Sequence, residues 1–565
     1  MHHFVLSRRE FISARIAIPA PLAAPALTLL SLAIAAQASF LYAQDGNFEF
    51  RPSTLVLSRS VYEGKASTIT IGETLPLGCQ GGATGLTVQV PLAAGGTVGV
   101  AVPCGVASDN GEYPNLHDTH NVWNNSGSDG SFGITSPILL DNITTNGELL
   151  GTLPVPTDQM VTSFSSKSEL ALNRSIDGRS ITFMGYRGGI GCGGATVSPT
   201  RPNLLDVSAS NTPGVCDPTN PVITTFNSEN VIPAAYYRGV AEVDANGHFR
   251  FTDGNAYSGD NGRAAIKGGN DLYYMVGNDN SGNLSKGQMS TTLDGIALQN
   301  ATGAELLYPG LTPPVPPNIE MIGRFLIPGD KPGKDTNYRG ITIFNNTLYV
   351  SKGSGGNGIN TVYQVGTPGT LPTGSAADLA TDTIKILPGF PNTVASTGTN
   401  FPFGMFFADA NTLYVCDEGD GNFVTPATAG ANVADAQTQA TAGLQKYRFI
   451  NGTWVLQYIL QNGLNIGEQY GIDDYPSSIN PATGGCRNIA GQHSGDGTVT
   501  IYAITSTISA NGDNGADPNK LVKVTDRVSD STLPTGEGRG TFTTIRSAKA
   551  REVFRGVALA PGEAD

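Results

Sequence analysis

A strand–turn–strand unit led by arginine recurs along this chain, and it constrains the fold more than any other feature. The stretch "NYRGITIFNNTLYVSKG" occupies residues 337–353. Related stretches follow when the chain is aligned on the arginine: "NRSIDGRSITFMGY" at Arg174, "GRAAIKGGNDLYYMVGN" at Arg263, "CRNIAGQHSGDGTVTIYAITS" at Arg487 and "FRGVALAP" at Arg555. "FPFGMFFADANTLYVCDEG" fills the same frame around Phe403, without an arginine. Each complete unit joins a small or apolar strand, through a turn of Asp, Asn and Gly, to a strand of alternating aromatic and β-branched residues. The units recur at intervals of roughly 64 to 89 residues. That interval holds four strands and long loops, the content of one propeller blade. The expected fold is all-β, a single β-propeller with six blades preferred and seven allowed. The last unit stops after its first strand, and "STLVLSRSVYEG" near the start of the mature chain offers the strand it lacks. Pairing of the N- and C-terminal strands would then close the ring and remove two exposed edges.

Composition agrees with strands joined by polar turns. The chain has 565 residues, of which 72 are glycine and only 14% are charged. Its formal net charge of -14 argues against nucleic acid or an anionic membrane surface as partner. Residues 1–38 read as an export signal: Arg8 and Arg9 precede an apolar run, and Ala36-Gln37-Ala38 is a small-x-small cleavage site. Phe11 beside the paired arginines makes the signal twin-arginine-like, with an ordinary secretory signal as the plainer alternative. Secretion or a periplasmic location follows, with no transmembrane anchor, and a monomer is expected. Residues 39–565 form the propeller. Gly-rich, cysteine-bearing segments near 74–135 and 188–222 read as loop insertions.

The six cysteines form an even set in an exported chain, which favours disulfides. Cys79–Cys104 and Cys192–Cys216 would each close a short loop. Cys416 ends the second strand of one unit and Cys486 begins the first strand of the next, so a Cys416–Cys486 staple is expected; two unpaired buried thiols are the alternative.

Several segments together carry a family likeness: "SFGITSPILLDNITTNGELLGTLPVPT", "SIDGRSITFMGY", "NTLYVSKGSG", "FPFGMFFADANTLYVCDEG" and "EVFRGVALAP". The chain resembles a family of secreted bacterial β-propeller proteins of unsettled function, distantly phytase-like and NHL-like. The resemblance covers nearly all of the mature chain and departs at the cysteine-bearing insertions. It implies the fold and export, and brings no catalytic residues.

In a propeller the start of each innermost strand and the end of the second strand share one face. Arg174, Arg263, Arg339, Arg487 and Arg555 would converge there, joined by Lys352, Asp417 and Glu418. Arginine presents a rigid fork of donors suited to carboxylate or phosphate. A ring of arginines is therefore either an anion clamp or a set of rivets pairing with acids and carbonyls of neighbouring blades. The plainer reading is the rivet.

No GxSxG elbow, P-loop or HExxH segment occurs. His117, Asp118 and His120 stand close together, but in a Gly-rich loop, where solvation is the simpler reading. Asp279, Asp417, Asp473 and Asp474 are the candidate ligands of a calcium ion, though no EF-hand spacing is present. Two functions remain. The first is an exported binding or surface-interaction module whose arginine-bearing channel mouth takes a small anionic ligand, a glycan or a protein. The second is a calcium-assisted hydrolase of an anionic ester, phytase-like or lactonase-like, with a metal-bound water as nucleophile.

Overall fold

The structure is a computed structural model. It describes residues between 48 and 562, apart from stretches of which the longest are 63–73, 110–122, 188–236, 279–295, 302–320, 325–336 and 422–439. The expected signal segment, the insertion at 188–222, Cys79, Cys104, Cys192, Cys216, His117, Asp118, His120 and Asp279 lie outside the described residues.

The described chain is all-β, without an α-helix, and no helix in it is long and apolar enough to cross a membrane. Five sheets are four-stranded antiparallel meanders of the blade type. Sheet 1 combines Glu552–Leu559, Leu55–Val61, Ile138–Ile143 and Leu149–Pro154, in that spatial order. Sheet 3 runs through Gly262–Lys267, Leu272–Gly277, Ile296–Asn300 and Met321–Arg324. Sheet 4 holds Tyr338–Phe344, Thr347–Lys352, Thr361–Val365 and Ile384–Ile386. Sheet 5 holds Pro402–Asp409, Thr412–Asp417, Gly443–Ile450 and Thr453–Leu460, and sheet 6 holds Ala482–His493, Thr498–Ile508, Lys520–Arg527 and Thr543–Ser547.

Sheet 2 departs from the expectation of uniform blades, because it has six strands. Its innermost edge is split. Met160–Ser163 pairs with the end of Ser180–Arg187, whereas Asn173–Arg174 pairs with its beginning. Residues 164–172 run between the two pieces. Tyr237–Asp244 and Phe249–Gly254 complete the meander, and Thr135–Ser136 extends it beside Met160–Ser163. Five regular blades therefore stand where six were expected, with this larger sheet beside them. The insertion at 74–135 is more than loop: it contains a three-stranded sheet and the hairpin Leu86–Pro91/Thr97–Val102.

The C-terminal strand is the innermost of sheet 1. It pairs antiparallel with Leu55–Val61, from Leu55 opposite Leu559 to Val61 opposite Glu552. Hairpin chemistry accounts for the inner turns. Asn345 and Asn346 both adopt left-handed backbone, with φ of 46° and 54°, which asparagine tolerates and a β-branched residue does not.

Each sheet packs on the next through its own apolar core. Val56 and Phe183 lie between sheets 1 and 2, and Met184 and Tyr273 between sheets 2 and 3. Tyr274 and Tyr338 join sheets 3 and 4, and Val362 and Phe407 join sheets 4 and 5. Leu444 and Val522 join sheets 5 and 6, and Ile504 and Leu57 return to sheet 1. Buried ion clusters supplement these cores. Between sheets 5 and 6, the Lys446 ammonium lies 2.9 Å from the Asp526 carboxylate, which also accepts from the Tyr414 and Tyr458 hydroxyls. Such a pair is tolerable away from water because every charge has partners.

Candidate functional site

The inner strands give the channel two ends. The arginine end is where the innermost strands begin and the second strands finish. The hairpin end is where the two strands turn into each other.

The repeated Arg-Gly dipeptide has a packing origin. A Cβ on Gly340 would stand 2.0 Å from the Phe403 carbonyl oxygen of the next sheet, and one on Gly556 would stand 2.5 Å from the Leu170 carbonyl oxygen. Only glycine permits that approach of backbones. Hydroxyls of the second strands reinforce it: Ser351 Oγ donates to the Phe403 carbonyl at 2.6 Å, and Ser58 Oγ to the Leu170 carbonyl at 2.9 Å.

The arginines of the inner strands at this end, two of them beside these glycines, are buried, not splayed into an open mouth. Arg263, Arg339, Arg487 and Arg555 are 4%, 2%, 5% and 4% exposed. Arg263 donates to the Tyr338 carbonyl of sheet 4 at 2.8 Å and to the Asn337 side chain. Arg555 grips the carbonyls of Phe164 and Ser166 in the split of sheet 2, and its Nε donates to Ser60 Oγ at 3.1 Å. Arg339 Nε donates to the Gly353 carbonyl at 2.9 Å, and its guanidinium lies 3.7 Å from the Glu418 carboxylate. Arg487 Nε donates to the other Glu418 oxygen at 3.0 Å. Lys352 is buried with its ammonium 5.9 Å from the centre of the Tyr338 ring.

Glu418 is the focus of this end. Burial would raise its pKa, but the attraction of Arg339, Lys167 and Arg487 outweighs burial and pulls it down to about 2. Its neighbour Asp417 behaves oppositely. Burial, with the Glu418 charge adding to it, pushes Asp417 up to about 6 against the pull of its hydrogen bonds. Those bonds come from the backbone N–H groups of Phe401 at 3.0 Å and Gly419 at 2.9 Å, and from the Gln445 side chain at 3.0 Å. A disulfide joins Cys416 to Cys486, with Cα atoms 5.3 Å apart, so the expected staple between neighbouring sheets is present.

Arg174 is not at this end, contrary to expectation. It pairs with Ile181 at the beginning of the second strand, immediately before the turn at residues 175–178. The reason is legible in the spacing: Asp177 follows Arg174 by three positions, whereas Asn345 follows Arg339 by six. The arginine place in sheet 2 falls instead within the split, where Lys167 and Glu169 stand. Glu169 is buried and accepts from the Tyr186 hydroxyl and from Thr162 Oγ1 at 3.0 Å; burial raises its pKa. Arg238 also belongs to this end, buried with its guanidinium 5.0 Å from the centre of the Tyr186 ring. Sequence reasoning missed Arg238, although "YRGV" repeats the "YRGI" of residues 338–341.

The hairpin end holds a cavity of about 380 Å³. The inner strand of every sheet contributes to its wall, through Val557, Arg174, Ile266, Phe344, Phe406 and Ile489 among others. Asn173, Ser175, Asn345 and Asn346 add polar groups. The Phe406 ring packs against Gly491, where a Cβ would stand 2.3 Å from it.

Among the described residues no group of three or more His, Cys, Asp or Glu side chains could hold a metal ion. Asp473 and Asp474 are exposed in a turn, whereas Asp417 is buried.

No known protein family matches the chain, and no curated protein does. Two solved structures of glucose dehydrogenase align with 68% of this chain and 92% of theirs, at 11% identity and TM-scores of 0.29 and 0.30. A complex of S. cerevisiae dbp5 bound to nup159 and gle1 aligns with 67% of this chain and 82% of its own, at 8% identity and a TM-score of 0.25. Likenesses of that size carry no functional argument, so function rests on this chain's own geometry.

Proposed function

We propose that this protein is an exported binding module that holds a small ligand in the hairpin-end cavity of its channel, with the buried arginines as the frame around it. The carrying observation is the contrast between the two ends. The arginines are committed to carbonyls and to Glu418, while the cavity at the other end is walled by all the inner strands. A cavity of about 380 Å³ is the size of a small organic ligand's pocket, and mixed apolar walls with a few polar groups are the usual lining. Export is supported by the leader sequence and by a buried disulfide, which suits an oxidising compartment.

The calcium-assisted hydrolase is the second reading; among the described residues no acidic group able to hold a metal ion favours it, and Asp279 lies outside them. Asp417 is buried with its oxygens accepting from Phe401, Gly419, Gln445 and Thr441.

The test is calorimetric titration with 1-naphthoate and with 1-naphthylmethanol, two compounds small enough for the cavity. Wild-type protein is expected to bind at least one of them, and Ala490→Phe, which fills the cavity, to lose it while melting cooperatively. No heat from either compound, or binding unchanged in Ala490→Phe, overturns the reading.

A further inference from the structure

We infer that the ligand of the hairpin-end cavity is a small organic anion with an apolar body, a carboxylate foremost, and that Arg174 is the group that recognises it. The inference rests on the binding reading above and narrows it to one chemical class.

Arg174 differs from the other inner-strand arginines. It is half-buried at the cavity wall, and its Nε donates to the Gly178 carbonyl at 3.0 Å, which fixes the plane of the guanidinium. No carboxylate pairs with it among the described residues. The nearest acid in sequence, Asp177, accepts instead from Ser175 Oγ at 2.6 Å and from the Arg179 N–H at 3.1 Å. Arg174 lines the cavity, and its Nη groups, which carry no carboxylate among the described residues, are the donors it can offer in the fork geometry that matches one.

Among the described residues the nearby Lys267 is already committed. Lys267, one residue beyond the lining Ile266, is 2.9 Å from Glu242. The amides are partly committed too: Asn173 donates to the Ala265 carbonyl at 3.0 Å, and Asn346 to the Gly369 carbonyl at 2.9 Å. Among the described residues Arg174 is thus the cationic group of the lining, set against apolar walls from Phe344, Phe406 and Ile489. A cation fixed at one edge of an apolar chamber suits a ligand with one charged end and an apolar remainder. Flat rings suit the Phe406 face by stacking.

The experiment compares 1-naphthoate with 1-naphthylmethanol by calorimetry, in the wild-type chain and in Arg174→Gln. Wild type is expected to bind the carboxylate at least about tenfold tighter than the alcohol, as a charge-assisted hydrogen bond requires. Arg174→Gln is expected to abolish that preference and to leave alcohol binding unchanged, whereas Arg174→Lys keeps part of the preference. Equal wild-type affinity for the two compounds overturns the anion inference while leaving the cavity reading intact. A preference that survives in Arg174→Gln overturns the assignment to Arg174. Should Arg174→Gln fail to fold, the wild-type ratio and Arg174→Lys decide. Binding of neither compound is failure of the cavity reading itself.

Discussion

Glu418 Oε2 lies 3.0 Å from Arg487 Nε, across the seam between sheets 5 and 6. Both residues are buried, and the backbone on either side of them is tied by the Cys416–Cys486 disulfide, which spans 70 residues of sequence. The covalent tie and the ion pair fix the same junction, so loss of either loosens the other.

Removing the tie, in the double variant Cys416→Ala/Cys486→Ala, should lower stability by about 4 kcal/mol, the chain-entropy value for a loop of that length. Denaturant unfolding without reductant measures it. A loss below about 1 kcal/mol would mean that the seam is held by packing alone.

Glu418→Gln should destabilise the fold by about 3–5 kcal/mol, since it leaves Arg339 and Arg487 buried without their counter-charge. The effect depends on pH in a defined direction. A carboxylate depressed to about 2 contributes stability that is complete above its ordinary value of 4.5 and is lost as pH falls toward 2. The gap between wild type and variant should therefore be full near pH 6 and close between pH 4.5 and 2. A gap that stays constant through that window contradicts the ion-pair explanation.

Much of this was legible beforehand. The arginine-led repeat identified the inner strands of sheets 3, 4, 6 and 1, and the seam at Cys416 and Cys486 followed from strand direction. Arg174 was misplaced because alignment on a residue type ignored its distance to the following turn. The split of sheet 2 was not legible, because Met160–Ser163 and Asn173–Arg174 are short pairings set by tertiary contacts, with the carbonyls of Phe164 and Ser166 held by Arg555. The choice between clamp and rivet also lay beyond sequence, since it depends on carbonyl positions, which composition does not encode.

Arg555→Lys tests the rivet directly. Lysine keeps the charge but cannot reach Ser60, Phe164 and Ser166 together, so a loss of about 1–3 kcal/mol is expected. Binding of 1-naphthoate by the folded variant should not change. A variant as stable as wild type, with altered ligand affinity, would make Arg555 a ligand residue instead.

Lys446→Met should cost about 3–5 kcal/mol by stranding Asp526 between Tyr414 and Tyr458. Adding Asp526→Asn should restore part of the loss, because the stranded charge is then gone. Thermal unfolding of the single and double variants reads this coupling, and simple additivity would show that the cluster does not act as a unit.

The most direct measurement is a crystal structure of the wild-type protein soaked with 1-naphthoate. The naphthyl ring should lie against Phe406 and Phe344, with its carboxylate on the guanidinium of Arg174. Naphthoate bound instead among Arg339, Arg487 and Glu418, with the hairpin end empty, would contradict the division between a closed arginine frame and an open ligand cavity.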